Sequence, residues 1–175
     1  KDDNSIQSLP TIFRNYILPD NVYDYDIKSC HPSIYLWLCK KLKTKTEYIE
    51  KYIENTSEFL EKADVSKTDL LSYLNQENTK VKTNNDFLEE FLTELAFNKK
   101  LIIKHENKLL KFKGKEINTE GSILSQIYIH YETVVMNKFY EKYKNIIVLP
   151  MFDGCIVNQQ IPIEDLNELS KEFVH

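Results

Sequence analysis

Asp24-Tyr25-Asp26-Ile27-Lys28-Ser29-Cys30-His31-Pro32-Ser33-Ile34 is the stretch that decides how this chain reads. Val22, Tyr23 and Tyr25 suit a β-strand that leaves Asp26 at its exposed end, and Pro32 belongs in the first turn of a helix, where its missing N–H costs nothing. A strand end fixes a carboxylate in space, as metal chemistry requires. Asp24, two residues earlier, points the same way along the strand. After Pro32, Ile34, Leu38 and Leu42 recur at helical spacing, with Tyr35 and Trp37 adding bulk, so a buried helix over Pro32 to Leu42 anchors the strand.

A second carboxylate stands near the other end of the chain. Asn145 to Phe152, then Asp153-Gly154, then Cys155-Ile156-Val157 reads as two strands joined by a tight turn, because Asp-Gly between apolar runs is a hairpin signal. Most Asp-Gly pairs are only turns. Here Met151 and Phe152 before it and Ile156 and Val157 after it make the turn the tip of a buried hairpin. A sheet that brings Asp26 beside Asp153 gives two carboxylates able to bridge a pair of Mg²⁺ ions about 3.5–4 Å apart.

With 175 residues and 42% of them apolar, the chain is one domain with enough apolar surface for a core. Cys30, Cys39 and Cys155 are odd in number and lack metal-ligand spacing, which argues against a disulfide framework or a zinc site and for a reducing compartment. No apolar run reaches membrane length and the polar start Lys1-Asp2-Asp3-Asn4 is no signal peptide, so a soluble intracellular protein without a membrane partner is expected. The net charge of −4 speaks against a nucleic-acid surface over the whole chain. Positive charge is nevertheless concentrated, with Lys99, Lys100, Lys104, Lys108, Lys111, Lys113 and Lys115 close together; a solvated face is the plain alternative.

Ser5 to Pro10 reads as an entry loop, and Arg14, the one arginine among 22 lysines, offers a planar fork for a phosphate or carboxylate. From Thr46 to Asn85 the pattern predicts short helices at Tyr48 to Asn55, at Ser57 to Ala63, and a third starting at Ser66, with Asp69 in the place of the Glu or Gln of a capping box. Phe87, Leu88, Phe91, Leu92 and Leu95 share one helical face over Asp86 to Phe97. Between Leu101 and Ile117 the pattern loosens, and an irregular or hairpin-like basic arm turning at Gly114 is expected. A long helix over Thr119 to Tyr143 and an amphipathic one over Ile163 to Val174 complete the order.

In that order the segments resemble a known family. The run Asp26 to Ile34 is similar to the first catalytic motif of palm-type polymerases, which in family B reads Asp-x-x-Ser-Leu-Tyr-Pro-Ser-Ile and in family A Asp-Tyr-Ser-Gln-Ile-Glu. Family A fits the rest better. Ser5-Ile6-Gln7-Ser8-Leu9-Pro10 looks like its Leu-Gln-Asn-Ile-Pro segment, Thr119-Glu120-Gly121-Ser122 like its Ile-Gln-Gly-Thr helix, and Met151 to Val157 like its Val-His-Asp-Glu hairpin. The closest subgroup in character is the divergent polymerases of virophages and transposon-like viral elements, often fused to a helicase.

This resemblance implies an α+β fold: a polymerase palm with an antiparallel sheet packed on helices and a small helical fingers-like insertion at about 44–100, all within one palm-like domain that is a fragment of a larger protein. It implies template-directed DNA polymerisation in the cytoplasm or at a viral replication site, with two Mg²⁺ ions, a DNA primer-template and dNTPs, and leaves room for a fused or associated helicase. Carried over by position, Asp26 and Asp153 are the catalytic metal-binding pair, with the Ile27 carbonyl as a further ligand. His31 falls where family A has Glu and family B has Tyr, which makes it the candidate for selecting deoxyribose; a histidine satisfied at a helix start is the plain alternative. Lys67, with Asn75-Gln76 eight and nine residues on, stands for the triphosphate-binding lysine without the aromatic-Gly pair that follows it in the family, and Lys62 lies near a second cation position. Gln7, Arg14, Glu120, Lys108, Lys111 and Lys113 are the candidates for nucleic-acid contact. The chain departs from the family at Phe152, Gly154 and Glu120, where His, Glu and Gln are usual. The rival readings are a two-metal nuclease on an RNase H-like sheet, with Glu132 as a third carboxylate, and a degenerate palm that only binds nucleic acid or scaffolds a helicase.

Overall fold

The computed structural model describes residues 18–76, 82–151 and 153–170. They form an α+β structure whose described elements run β1 (Tyr23–Asp26), α1 (Cys30–Lys41), α2 (Glu47–Glu54), α3 (Thr56–Ala63), α4 (Lys67–Asn75), α5 (Asp86–Leu110), α6 (Thr119–Tyr143), β2 (Ile147–Pro150), β3 (Gly154–Val157) and α7 (Ile163–Ser170). They fall into two compact units, 18–28 with 132–170 and 29–131, with the boundary inside α6. No helix among the described residues is long and apolar enough to cross a membrane.

The first unit is built on an antiparallel sheet in the order β1-β3-β2. β3 takes the centre because all four of its residues are buried, whereas β1 carries two carboxylates and suits an edge. Register places Tyr23 opposite Val157, Tyr25 opposite Cys155, Asp24 opposite Ile156 and Asp26 opposite Gly154. Side chains alternate along a strand, so the two tyrosines share a face with Cys155 and Val157 while Asp24 and Asp26 share the other. The apolar face builds a core of Phe139, Cys155, Val157 and Ile161, with Tyr25, Tyr140, Tyr143 and Leu166 packed around it. The Tyr25 hydroxyl accepts from Ile161 N–H at 2.9 Å and donates to Ile161 C=O at 3.3 Å, which ties β1 to the segment entering α7. Burial pushes the Cys155 thiol up to about 11, with the Asp24 charge adding to the effect, so it packs as a neutral side chain.

The second unit is helical. Its core draws Leu38 and Cys39 from α1, Ile49 and Tyr52 from α2, Phe59 from α3, Leu70 and Leu74 from α4, Phe91, Leu95 and Ile102 from α5, and Leu124, Ile127 and Tyr128 from α6. Ser66 starts α4 with a full capping box: its hydroxyl accepts from Asp69 N–H at 3.1 Å, and the Asp69 carboxylate accepts from Ser66 N–H at 3.2 Å. Aspartate therefore does here what Glu or Gln does elsewhere. The Thr46 side chain leaves the start of α2 uncapped, and buried Glu94 of α5 supplies the missing acceptor, taking Tyr48 N–H at 3.1 Å and Ile49 N–H at 3.4 Å.

One expectation is overturned. The stretch Leu101 to Leu110 is not an irregular arm but the second half of α5, a helix of 25 residues, and only the chain from Lys111 onward leaves it. The face that holds α5 down continues through Leu95, Lys99, Ile102 and Glu106, all buried at helical spacing. Two of those four are charged, which hides the period from a reading of apolar residues alone. Lys108 sits in the last turn, where the helix dipole favours a cation, and Asp86 and Glu89 occupy the first.

Candidate active site

β1 and β3 bring the two predicted carboxylates together. Asp26 is the ladder partner of Gly154, the residue after Asp153, and Ile27 N–H donates to Asp153 C=O at 2.8 Å. Both aspartates are exposed, as is Asp24. The Asp26 carboxyl titrates above the usual aspartate range, through its partial burial, then the Asp153 charge, then the Asp24 charge, with Ile27 N–H opposing. Repulsion among neighbouring carboxylates is relieved by a cation.

The turn is held from the side by Tyr140, unremarked in the sequence, whose hydroxyl donates to Met151 C=O at 2.7 Å and Gly154 C=O at 3.3 Å. Met151 N–H closes the turn onto Gly154 C=O at 3.0 Å. The Asp-Gly pair gives a hairpin for a different reason from the one expected. No glycine among the described residues has a positive φ, and Gly154 already belongs to β3. What Gly154 supplies is room: a Cβ there would lie 2.4 Å from Tyr25 C=O and 3.3 Å from Asp26 Oδ1. Only glycine lets β3 approach the end of β1 this closely.

Among the described residues, no group of three or more His, Cys, Asp or Glu side chains is arranged to hold a metal ion. Two carboxylates still fit Mg²⁺, which keeps several waters and completes its shell with one or two protein carboxylates and substrate phosphates. The Ile27 carbonyl stands at the same strand end. Glu132, the third carboxylate of the nuclease alternative, lies on α6, half-buried, with its charge felt at the Tyr140 hydroxyl.

The other candidates belong to the second unit. His31 is in the first turn of α1, half-buried, its ring 5.1 Å from that of Tyr128. Lys67 is the first residue of α4 and exposed; Lys62 is exposed and paired with Glu58 at 2.6 Å. Glu120, in the first turn of α6, acts on a lysine that the sequence hides. Lys99 is buried, donates to Gln76 C=O at 2.7 Å and to Tyr73 C=O, and so caps the end of α4 from inside. Burial brings its ammonium down to about 8, against the pull of Glu120. The signal was available in its spacing from Leu95 and Ile102. Gly121 completes this junction, since a Cβ there would lie 2.2 Å from Asn75 C=O. Lys108, Lys111 and Lys113 are exposed, the first on α5 and the others beyond it. Gln7 and Arg14 lie outside the described residues.

Comparison of the chain with protein-family models, with curated proteins and with solved structures finds no match.

Proposed function

We propose that this chain is the palm of a template-directed DNA polymerase, and that Asp26 and Asp153 hold the divalent cations at which nucleotides are joined. The observation that carries the reading is the strand pairing that sets Asp26 opposite Gly154, beside the exposed Asp153, where partial burial and then the Asp153 charge raise the Asp26 pKa. Two bound Mg²⁺ ions would activate the primer 3′-hydroxyl and stabilise charge on the departing pyrophosphate. In the reaction the 3′-oxygen bonds to the α-phosphorus of the dNTP as its hydroxyl proton passes to solvent, and the bond from that phosphorus to the bridging oxygen breaks, the oxygen leaving with pyrophosphate. The chain's part is to fix the geometry. Asp26 and Asp153 would hold the cations together with the Ile27 carbonyl, while Tyr140 and Gly154 hold the turn against β1 and Asp24 adds negative charge beside Asp26.

In the same reading Lys67 meets the triphosphate. A lysine at a helix start works against the dipole, so its place there is not explained by helix stability. His31 crowds the sugar 2′ position, and Gln7, Arg14, Glu120 and Lys108 contact primer or template. A helicase, fused or associated, would open the duplex at an intracellular replication site.

The test is primer extension by the full-length protein that carries this chain, compared with Asp26→Ala and Asp153→Ala. Loss of extension in both, with folding retained, is expected. Unchanged extension in both removes the assignment. His31→Ala should admit ribonucleotides more readily, and equal discrimination in variant and parent defeats the gate.

A further inference from the structure

We propose that the segment Lys111-Phe112-Lys113-Gly114-Lys115 is a rigid ledge that binds the backbone of a single-stranded nucleic acid while bases stack on the half-buried rings beside it. The inference deepens the nucleic-acid reading above and rests on it only in taking the strand to be the template.

α5 ends at Lys111 in the left-handed conformation (φ 55), with its N–H on Asn107 C=O at 2.9 Å. The next residues have no regular structure, yet α6 holds them closely. Gln126 Nε2 donates to Lys113 C=O at 3.0 Å, Thr119 Oγ1 donates to Lys115 C=O at 2.6 Å, and Lys115 N–H donates to Ser122 Oγ at 2.8 Å. Phe112 sets its ring 6.3 Å from that of His130. At Gly114 a Cβ would lie 2.3 Å from Thr119 Cγ2 and 2.9 Å from Thr119 C=O, so any larger residue would lift the segment off the helix. With Phe112 and Gly114 turned toward α6, the alternating Lys111, Lys113 and Lys115 stand exposed.

This order separates the ledge from an ordinary solvated face. Lys108, in the last turn of α5, suits a helix C-terminus by itself. A solvated loop of lysines has no need of three hydrogen bonds and a glycine lock, which hold like charges in a row that repulsion would otherwise spread.

The rings supply the second half of the argument. Phe112, His130, Tyr131 and Trp37 form a continuous row, His130 to Tyr131 at 5.1 Å and Tyr131 to Trp37 at 4.8 Å, each half-buried. Lys41 Nζ lies 5.1 Å from the Trp37 ring and 5.7 Å from that of Tyr131. Fully buried Glu106 fixes this end, taking Lys41 at 3.1 Å and the Tyr131 hydroxyl. Cations beside partly open rings are what single strands use, since unpaired bases can stack on the rings while a duplex keeps its bases to itself.

The experiment is fluorescence anisotropy with a labelled oligo-dT strand and the full protein carrying this chain, from 50 to 200 mM salt. The variants are Lys111→Gln/Lys113→Gln/Lys115→Gln together and, separately, Gly114→Val, which keeps every charge. Three lost phosphate contacts lower the salt slope by about 2, so the parent's affinity should fall about 20-fold further than the triple variant's across that range. Gly114→Val should weaken binding in the same direction with circular dichroism unchanged. An unaltered salt slope in the triple variant overturns the proposal, because its exposed lysines can be replaced without touching the core. Duplex bound as tightly as single strand overturns the stacking half. Primer extension read in parallel keeps the two readings apart: binding lost with extension retained refutes the ledge alone as template site, and binding retained without extension refutes the polymerase reading alone.

Discussion

Gly154→Ala tests the geometry on which the candidate site depends. The added Cβ would lie 2.4 Å from the Tyr25 carbonyl oxygen and 3.2 Å from Asp26 Cα, both backbone atoms that cannot rotate away. Restoring ordinary contact needs β1 and β3 to separate by about 1 Å, since non-bonded atoms settle near 3.5 Å. Overpacking of this kind costs about 1–3 kcal/mol. The separation falls at the end of β1 where Asp26 stands opposite Gly154, so the loss of activity should exceed the loss of stability. A misplacement of about 1 Å in a reacting group costs on the order of 100-fold in rate. Urea denaturation reads the first effect; single-turnover primer extension, well below the unfolding midpoint, reads the second. A variant as stable as the parent and extending primers within about twofold of its rate would refute the close approach and the site built on it.

Tyr140→Phe removes the donor to Met151 and Gly154 while keeping the ring in the core; about 1 kcal/mol of stability and a lower extension rate at unchanged KM for dNTP are expected, and a rate equal to the parent's would show that the turn holds without it. Asp26 has a raised pKa, so the folded state binds its proton more readily than the unfolded chain, and the group loses stability as pH rises from the ordinary aspartate range through that raised value. Asp26→Asn should therefore be slightly more stable than the parent at pH 7, by less than about 1 kcal/mol given its exposure, and the advantage should vanish near pH 3; denaturation at the two pH values checks the sign. Lys99 shifts the other way: with its folded pKa down at about 8, the unfolded chain holds the proton to higher pH, so the parent should gain stability over Lys99→Met between about pH 8 and pH 10.5. A parallel pH dependence of the two urea midpoints across that window would place Lys99 in solvent instead.

The sequence made each carboxylate legible because its own signal is local, alternation around Asp26 and the Asp-Gly turn at Asp153, although the β1–β3 pairing that brings them together is long-range. The start of α4 was legible for the same reason, Ser66 and Asp69 being three residues apart. What failed involved partners distant in the chain. α5 reads as broken after Phe97 because Lys99 and Glu106 occupy core positions, and each is stable there only by virtue of a distant group: the end of α4 for Lys99, Lys41 and Tyr131 for Glu106. The cap on α2 comes from Glu94, 46 positions from the N–H it accepts, and no reading of Thr46 could supply it.

The face of the sheet that does no chemistry sets the position of the face proposed to do it. Because side chains alternate, sliding β1 by one residue past β3 would turn Asp26 toward Phe139 and Cys155 and push Tyr25 into solvent. Burying a carboxylate without a partner costs several kcal/mol, and the slide would also break the two hydrogen bonds between the Tyr25 hydroxyl and Ile161. The carboxylates can therefore stand exposed and mutually repelling at a strand end, because the register that puts them there is enforced by Tyr25, Cys155 and Val157 on the other side. Gly154 and Tyr140 then act on what the register leaves free, the distance between strands and the path of the turn. Changes to the apolar face should cost folding before they cost chemistry, and changes at Gly154 and Tyr140 should do the reverse.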